Sequence, residues 1–502
     1  MRYPLEKNYG ISLAVAVLAL APYVVLTTAD SLYQPELMRA LSASRRALEI
    51  VAGISTAGYA FGALLGGDLT NRFTPRRLFF FAEAAFILGS LIAALAPAVF
   101  VYGLGRVLEG LATGLLLVIA LPPVIRRFPA ERMPLSAAFI NIGFFGAVTA
   151  GPLLGGWVSA IDGWRWMYGG LALIGSAVLA LATLTLPEQS PQNPDLPVDA
   201  VGLLLGLMAT VLPFWAVGEL GTGGFGSVRF LVPLCVGLAS LVLLLLIEYH
   251  KREPLSPVKL MWSTYPVIGT LVAMLAGAIY VGFIELRIPL LLEVQHRPAL
   301  AAVSLFWPQL LGVGLAALLL RALLRTRYLP PLILAGMLTL VAGGWLLMRG
   351  AHEAALSIAN LAGIGLLGLG AGATVSPALF VTGFALSVKI LGRLLALVEL
   401  VRSVADFLLG PVMLQVARKA SVSSSLNVLG IEHGLWILML LAIASIVLLV
   451  VLYFIGSREL PQPDITGWLE HDRPALPSPP LGARLRPASQ PHAAAATARH
   501  GA

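Results

Sequence analysis

The chain has 502 residues, of which 58% are hydrophobic and 12% charged, and its mean hydropathy is +0.89. This composition lies far outside the range of soluble domains and predicts a polytopic membrane protein. The net charge of +8 fits loop lysines and arginines on the inner side of a membrane better than a nucleic-acid surface, because no basic face survives among the apolar segments. The single cysteine, Cys235, excludes an intramolecular disulfide and a cysteine-based metal cluster.

Apolar segments of about 20 residues, the length that crosses a bilayer, recur along the chain. We predict fourteen membrane helices, near 11–34, 50–70, 78–97, 99–124, 135–159, 166–186, 201–220, 230–248, 267–292, 300–320, 331–348, 355–380, 391–416 and 435–455. An even number places both termini on one side. The connections on that side hold most of the loop lysines and arginines, so we expect both termini in the cytoplasm and the protein in the inner cell membrane.

Polar connections divide the chain into parts. We predict an N-terminal six-helix bundle, a linker with a two-helix insert, a C-terminal six-helix bundle and a disordered cytoplasmic tail, over 1–186, 187–264, 265–456 and 457–502. Gly151-Pro152 and Gly410-Pro411 both lie in the fifth helix of a bundle. Interrupted helices at corresponding positions are typical of transporters whose halves rock about a central site. The predicted fold class is therefore an all-α polytopic membrane protein.

The fifth helix contains the run Gly151-Pro152-Leu153-Leu154-Gly155-Gly156. Proline removes one backbone hydrogen bond and bends a helix, while glycines let a neighbouring helix approach closely. The run resembles the antiporter motif of drug:proton exporters of the major facilitator superfamily, Gly-x-x-x-Gly-Pro-x-x-Gly-Gly, with Ala147 at the first glycine. The resemblance implies a tight contact that limits proton leak.

The loop after the second helix resembles the superfamily signature Gly-x-Leu-x-Asp-Arg-x-Gly-Arg-Arg. The residues at its gating positions are Gly67, Asn71, Arg72, Arg76 and Arg77. Asn71 replaces the aspartate that forms a cytoplasmic charge latch in the family, so the usual latch is not expected here.

Two further runs carry the same resemblance. Arg106-Val107-Leu108-Glu109-Gly110 is similar to the fourth-helix pattern Arg-x-x-Gln-Gly, and Trp164-Arg165-Trp166 resembles a run common in fourteen-helix drug:proton antiporters. Together the motifs imply the major facilitator fold, with two six-helix bundles plus a two-helix insert. They also imply export of hydrophobic or amphipathic small molecules in exchange for protons by alternating access.

Ionisable residues inside membrane spans are costly, so each needs a partner or a task. Asp30 and Glu285 lie in corresponding helices of the two halves, and we predict that Asp30, or else Glu285, carries the proton. Glu109 is a third candidate, with Arg106 three residues away as its charge partner. Arg287 is the second predicted charge partner, but it lies two residues from Glu285 and so on another side of the helix; at least one of the two must therefore reach another helix or water. Static ion pairs or caps at the outer mouth are the alternative roles.

Other charged groups in the spans are assigned structural roles. Glu399, Arg402 and Asp406 share a face of the thirteenth helix, where one arginine can bridge two acids. Glu83 in the third helix is expected to extend its carboxylate to the membrane surface.

Aromatic residues are expected to line an apolar substrate cavity, namely Tyr33, Phe144, Phe145, Tyr280, Phe306 and Trp307. The histidines lie in loops, at span edges or in the tail, and no phosphate-binding loop is present, so no cofactor or metal is predicted and the coupling ion is the proton. We expect a monomer in the lipid bilayer, and not an enzyme. A lipid or natural-product exporter is the nearest alternative, and a membrane sensor or polytopic membrane enzyme is the alternative from another class.

Overall fold

A computed structural model describes residues 4–188, 190–191, 197–421, 426–457 and 460–484. Within these ranges the protein is helical, with fourteen long helices, as the sequence predicts. They are α1 (Tyr9–Ala29), α2 (Arg45–Arg72), α3 (Pro75–Ala94), α4 (Val99–Arg127), α5 (Met133–Ala160), α6 (Trp164–Thr185), α7 (Ala200–Gly223), α8 (Val228–His250), α9 (Thr264–Pro289), α10 (Trp307–Leu323), α11 (Leu329–Gly350), α12 (Ile358–Phe384), α13 (Leu391–Ala420) and α14 (Val428–Gly456).

Successive helices run in opposite directions through the bundle. We call the end where α1 begins and α14 ends the terminal face, and the other end the opposite face. Thirteen candidate spans among the described residues are long and apolar enough to cross a membrane. Helix α13 is not one of them, because it carries Glu399, Arg402 and Asp406 along its length. It lies inside the bundle, where those charges find partners instead of lipid.

The fourteen helices form two bundles and an insert. Helices α1–α6 pack together around α4, and α9–α14 pack together around α12, and we call these two bundles the first and the second half. The halves meet along two seams, one between α5 and α10 and the other between α2 and α13. These seams place the facing helices of both halves around one central space.

The insert helix α7 covers the second seam. It packs against α8, and it also contacts α2 of one half and α13 of the other. The rings of Phe214 on α7 and Phe407 on α13 stack with centroids 4.4 Å apart. On its other side, α7 brings the backbone of Phe214 against Gly53 of α2, where no larger side chain fits. The insert is therefore part of the wall between the halves.

Proline sets several helix ends near the opposite face. Helix α1 stops at Ala29, and a short helix, Gln34–Ala40, starts with Pro35 in its first turn. Asp30 consequently lies at the C-terminal cap of α1 rather than inside a span continuing to residue 34. Helix α9 ends at Pro289 and continues as a wider turn, Leu290–Val294.

Part of the tail is ordered, which differs from the predicted disorder of 457–502. Residues 460–484 lie under the terminal face and include the helix Ile465–His471. Trp468 is buried, and its Nε1 donates a hydrogen bond of 2.8 Å to the carbonyl of Leu386. Ile465, Trp468 and Leu469 are spaced to form one apolar helix face, which binds the segment to the bundle. Residues 485–502 lie outside the described part of the chain.

Candidate transport site

A cavity of about 400 Å³ lies between the two halves. Both halves and α7 contribute to its wall, and most of the lining is apolar. The lining extends to Arg45, Glu49 and Arg418 at the ends of α2 and α13 nearest the opposite face. Towards the terminal face the halves are in contact, since a Cβ added at Gly67 would lie 3.2 Å from the Cβ of Ala396.

The first charged cluster joins Asp30, Arg106 and Glu109. Arg106 Nη2 lies 2.7 Å from Asp30 Oδ2, and its Nη1 lies 2.6 Å from Glu109 Oε2. Arg106 and Glu109 are almost fully buried, whereas the Asp30 side chain is 18% exposed. Asp30 and Arg106 both line the cavity. Asp30 thus joins the Arg106–Glu109 pair in one cluster, with a single cation shared by two acids.

Hydroxyl groups complete the first cluster. Tyr33 donates a hydrogen bond of 2.5 Å to Asp30 Oδ1, and the Tyr168 hydroxyl lies 3.4 Å from the same atom. Ser90 donates to Glu109 Oε1 at 2.6 Å. Tyr168 was not predicted from the sequence, although it follows the Trp164-Arg165-Trp166 run by two residues. These bonds hold both carboxyl groups in fixed positions beside Arg106.

A second charged cluster lies on α13. Arg402 Nη2 is 2.5 Å from Glu399 Oε1, and Arg402 Nη1 is 2.5 Å from Asp406 Oδ2. The guanidinium also lies over the Phe144 ring, 5.5 Å from its centroid. The one-face ladder expected from the sequence is therefore present, but Arg402 and Asp406 line the cavity, which the sequence analysis did not predict.

Glu285 and Arg287 occupy different surroundings. Glu285 lines the cavity and packs against Gly410 of α13. Arg287 is buried, and its three guanidinium nitrogens have no hydrogen-bond partner among the described residues. The pair does not neutralise itself, as the helical spacing predicts.

Five of the six predicted aromatic residues reach the site. Phe144, Phe145 and Tyr280 line the cavity, and Tyr33 is buried beside Asp30. The rings of Phe145 and Tyr280 meet edge to face across the halves, with centroids 6.2 Å apart. The assignment of Trp307 is wrong, because this side chain is half exposed on the bundle and does not line the cavity. Its neighbour Phe306 is buried and lines the cavity.

Gln309 of α10 is a polar group of the cavity that the sequence analysis missed. Its amide nitrogen donates a hydrogen bond of 2.8 Å to Thr149 of α5 and a second bond to the Tyr280 hydroxyl. Nothing in the local sequence sets this glutamine apart from the other polar residues of the spans.

The antiporter-motif glycines make close helix contacts. A Cβ at Gly151 would lie 1.8 Å from Thr28 Oγ1 and 2.7 Å from the Val25 carbonyl, so α1 and α5 approach closely there. A Cβ at Gly156 would lie 2.3 Å from Val303 of the other half. Ala147 and Gly155 are also buried, and Pro152 lines the cavity.

The last turns of α2 contain an ion pair that does not involve Asn71. Asp68 Oδ1 lies 2.8 Å from Arg72 Nη2, and the Asn71 amide donates to the carbonyl of Gly67. Arg76 lies over the Phe80 ring, and Arg77 is exposed. Asp68, three residues before Asn71, therefore supplies the carboxylate at this end of α2.

An ion pair at the terminal face fixes the insert. Lys251 Nζ contacts Asp199 and lies 2.8 Å from Glu248 Oε1. Partial burial raises the pKa of Asp199, but the hydrogen bonds from Lys251 and from the Gly202 amide outweigh it and lower this pKa. Burial lowers the pKa of Lys251, but its bonds to Asp199 and Glu248 raise it above the usual range. The pair thus joins the start of α7 to the end of α8.

Two six-helix bundles around a shared central cavity define a membrane transporter. Residues 11–410 match the family described as the Major Facilitator Superfamily, so the chain belongs to this superfamily. The family and the apolar helices make it a multi-pass membrane protein of this superfamily.

Curated relatives carry transporter names. The Uncharacterized MFS-type transporter YubD of Bacillus subtilis is 32% identical over 284 residues, which cover 55% of this chain and 54% of that protein. A Multidrug resistance protein B homolog of Mycobacterium tuberculosis is 26% identical over 383 residues, or 74% of this chain and 69% of that protein. The Multidrug export protein EmrB of Escherichia coli is 25% identical over 223 residues, or 44% and 43%. The chain thus matches about half the length of the first and third of these relatives.

Solved structures share the fold. The human organic anion transporter MFSD10 superposes with a TM-score of 0.65 at 14% identity, over 88% of this chain and 100% of that chain. The proton:xylose symporter XylE superposes with a TM-score of 0.59 at 16% identity, over 89% and 96%. At such identities the likeness shows the fold alone.

Proposed function

We propose that the protein exports hydrophobic or amphipathic small molecules across the cell membrane in exchange for protons. The observation that carries this proposal is the cluster of Asp30, Arg106 and Glu109 on the wall of a mostly apolar cavity between the halves. We further propose that the terminal face is cytoplasmic. The contact of Gly67 with Ala396 then closes the cytoplasmic end, and the cavity is accessible from outside.

Asp30 is the first proton acceptor in this proposal. It is the more exposed acid of the cluster, so a proton from the outer solution reaches it before it reaches Glu109. Protonation removes the charge that attracts Arg106 and weakens the bond between α1 and α4. Arg106 retains Glu109 as its partner, so the cation is not left unpaired when Asp30 takes up the proton.

Substrate and proton compete for the same charge. While Asp30 is ionised, the two acids outnumber Arg106 by one, which favours a substrate with a positive charge. The aromatic residues Phe145 and Tyr280 supply an apolar surface on both halves. Protonation from outside removes the extra charge and releases the substrate. Rocking of the halves then opens the cavity to the cytoplasm, Asp30 gives up the proton to the cytoplasmic side, and substrate binds again.

Glu285 is the second candidate for the proton carrier. It lines the cavity without a salt-bridge partner among the described residues.

A natural-product exporter is the second candidate function. It is supported by a relative named Tetracenomycin C resistance and export protein, from Streptomyces glaucescens, which is 25% identical over 271 residues. That match covers 53% of this chain and 50% of the relative. This candidate keeps the same site and differs in the compounds that the cavity accepts.

The test is proton movement in proteoliposomes that hold a pH gradient, with lipophilic cations and then uncharged aromatic compounds added from outside. We expect a compound to collapse the gradient with wild type and not with Asp30→Asn. The matched control is Asp162→Asn, which changes an exposed loop acid at the opposite face.

The outcomes separate the alternatives. If the pH gradient still collapses with Asp30→Asn but not with Glu285→Gln, the proton carrier is Glu285. Collapse only with uncharged polyaromatic compounds favours the natural-product exporter. Wild type that binds a compound but moves no protons with any of them refutes proton exchange.

A further inference from the structure

Glu83 of α3 is a buried acid that the mechanism above does not use. It is fully buried, and neither carboxyl oxygen has a hydrogen-bond partner among the described residues. Its Oε1 lies against Gly175 of α6, 3.2 Å from the position that a Cβ would take there. The predicted extension of this side chain to the membrane surface is therefore wrong. An ionised carboxylate in such a place would be very costly, so the group is held as a neutral acid.

The position of Glu83 on α3 connects it to the first charged cluster. Ser90, which donates to Glu109, lies seven residues further along α3, and Arg76 lies seven residues before Glu83. Residues seven apart share one helix face and are separated by about 10 Å. This face therefore presents Ser90 beside Glu109, then Glu83, then Arg76 at the terminal face.

The helices packed against this face supply few other ionisable groups. From α4 they are Tyr102, Arg106, Glu109, Arg126 and Arg127, and from α6 they are Arg165 and Tyr168. All of them lie in the first cluster or at the ends of the helices. Phe86 and Ile87 occupy the α3 turn between Glu83 and Ser90, so the acid stands alone between apolar turns.

We propose that Glu83 holds the proton between Glu109 and the terminal face during transport, an inference that rests on the proposed proton exchange. Glu83 first releases its own proton at the terminal face and then takes up the proton that Glu109 gives, so that it is neutral again after each step. No bond other than those to the proton changes. A structural ion pair does not explain Glu83, because no described cation contacts it.

The test uses Glu83→Gln, with Glu131→Gln in an exposed loop as the matched control. We measure substrate-driven proton movement and, separately, exchange of labelled for unlabelled substrate, which needs no net proton transfer. We expect Glu83→Gln to slow proton movement by about a hundredfold while exchange continues. The control keeps both rates. Glu83→Leu should fold as well as wild type, since its surroundings are apolar, and should show the same loss.

Three outcomes would overturn the proposal. Proton movement at the wild-type rate in Glu83→Gln, while Asp30→Asn blocks it, removes Glu83 from the path and leaves the proposed function intact. Loss of folding in both Glu83 variants makes the acid structural. Wild type that moves no protons refutes the proposed function, and the role of Glu83 with it.

A second inference comes from residues 460–484, which we call the C-terminal strap. Trp468 packs edge to face on Phe384, with centroids 5.1 Å apart, and Leu476 donates its amide hydrogen to the Phe384 carbonyl. Asp472 accepts from Ser387 and pairs with Lys389. These contacts fix the strap to the connection between α12 and α13 in the second half.

The strap also touches the first half. Its helix Ile465–His471 lies against Ala130–Arg132, the connection between α4 and α5. Ala130 and Met133 belong to the same apolar cluster as Ile465 and Trp468. The strap therefore bridges the two halves at the face where Gly67 meets Ala396. When this face opens, the strap must lose either its contacts with the first half or those with the second half.

We propose that the C-terminal strap stabilises the conformation in which the terminal face is closed. The test places a single cysteine at Ala396→Cys in a Cys235→Ser background and measures its rate of labelling by a maleimide. Ala396 is buried at the seam, so labelling reports opening of the terminal face.

We expect Trp468→Ala to raise the labelling rate about tenfold, which corresponds to about 1.4 kcal/mol of preference for the closed state. The matched control is Trp262→Ala, an exposed tryptophan at the same face, and its rate should not change. Truncation before residue 460 should give the same rise. Labelling at the wild-type rate in both strap variants, or failure of both to fold, would overturn the proposal.

Discussion

Arg106→Gln tests whether one guanidinium holds the first cluster together. In the structure Arg106 is within 2.7 Å of Asp30 and 2.6 Å of Glu109, and it is 1% exposed. Removing the charge leaves two acids facing each other. Two carboxylates about 5 Å apart repel by about 3 kcal/mol at an effective dielectric constant of about 20. Breaking a buried pair by removing one partner destabilises proteins by about 3–5 kcal/mol.

We therefore expect Arg106→Gln to lower the thermal unfolding temperature in detergent and to abolish transport. Adding Asp30→Asn and Glu109→Gln to this variant removes the repulsion, so the triple variant should regain most of the lost stability without regaining transport. Arg77→Gln, at an exposed arginine, is the control and should leave stability unchanged. A single variant as stable as wild type, or a triple variant as unstable as the single one, would refute the reasoning.

Three further predictions concern packing, substrate contact and pH. Gly151→Val should destabilise the protein by about 1–3 kcal/mol, because its Cβ would meet the Val25 carbonyl at 2.7 Å. Gly146→Ala, whose Cβ meets only Ile142 of its own helix, should unfold at the wild-type temperature. Phe306→Leu should change the affinity for a fluorescent substrate and Trp307→Leu should not, because only Phe306 lines the cavity; equal effects would contradict this placement. Asp199, whose pKa is lowered, stabilises the α7–α8 contact above the usual aspartate range of about 3.9 and loses this contribution as the pH falls through its lowered pKa. Asp199→Asn should remove that acid-side loss in unfolding scans against pH, and an unchanged profile would be evidence against the pair.

The number of long helices and the candidate proton-carrying acids could be predicted from the sequence because each depends on local information. Spans of about 20 apolar residues stand out by themselves, and an acid inside one of them is conspicuous. The contact of Asp30 with Arg106 could not be predicted in this way. The two residues are 76 positions apart, and only the packing of α1 on α4 brings them together.

Errors of placement came from helices that are apolar on every side. Trp307 and Phe306 are adjacent, and the register of α10 alone decides which of them faces the cavity. Glu83 lies on a helix whose lipid-facing and buried sides are both apolar, so periodicity does not distinguish them. Order in the tail did have a local signal. The i, i+3, i+4 spacing of Ile465, Trp468 and Leu469 is that of an amphipathic helix.

The position of α7 constrains how the two halves can move. Because this helix touches α2 on one side and α13 on the other, rocking of the halves shears at least one of its two contacts. The stacked rings of Phe214 and Phe407, with planes inclined by 16°, form a flat contact that can slide without separating. Val217 and Leu220 of the same helix line the cavity, so a chain without the insert would expose bound compounds to lipid on this side. In this protein the two extra helices act as a sliding side wall, and a twelve-helix version of the chain would lose its barrier against lateral escape.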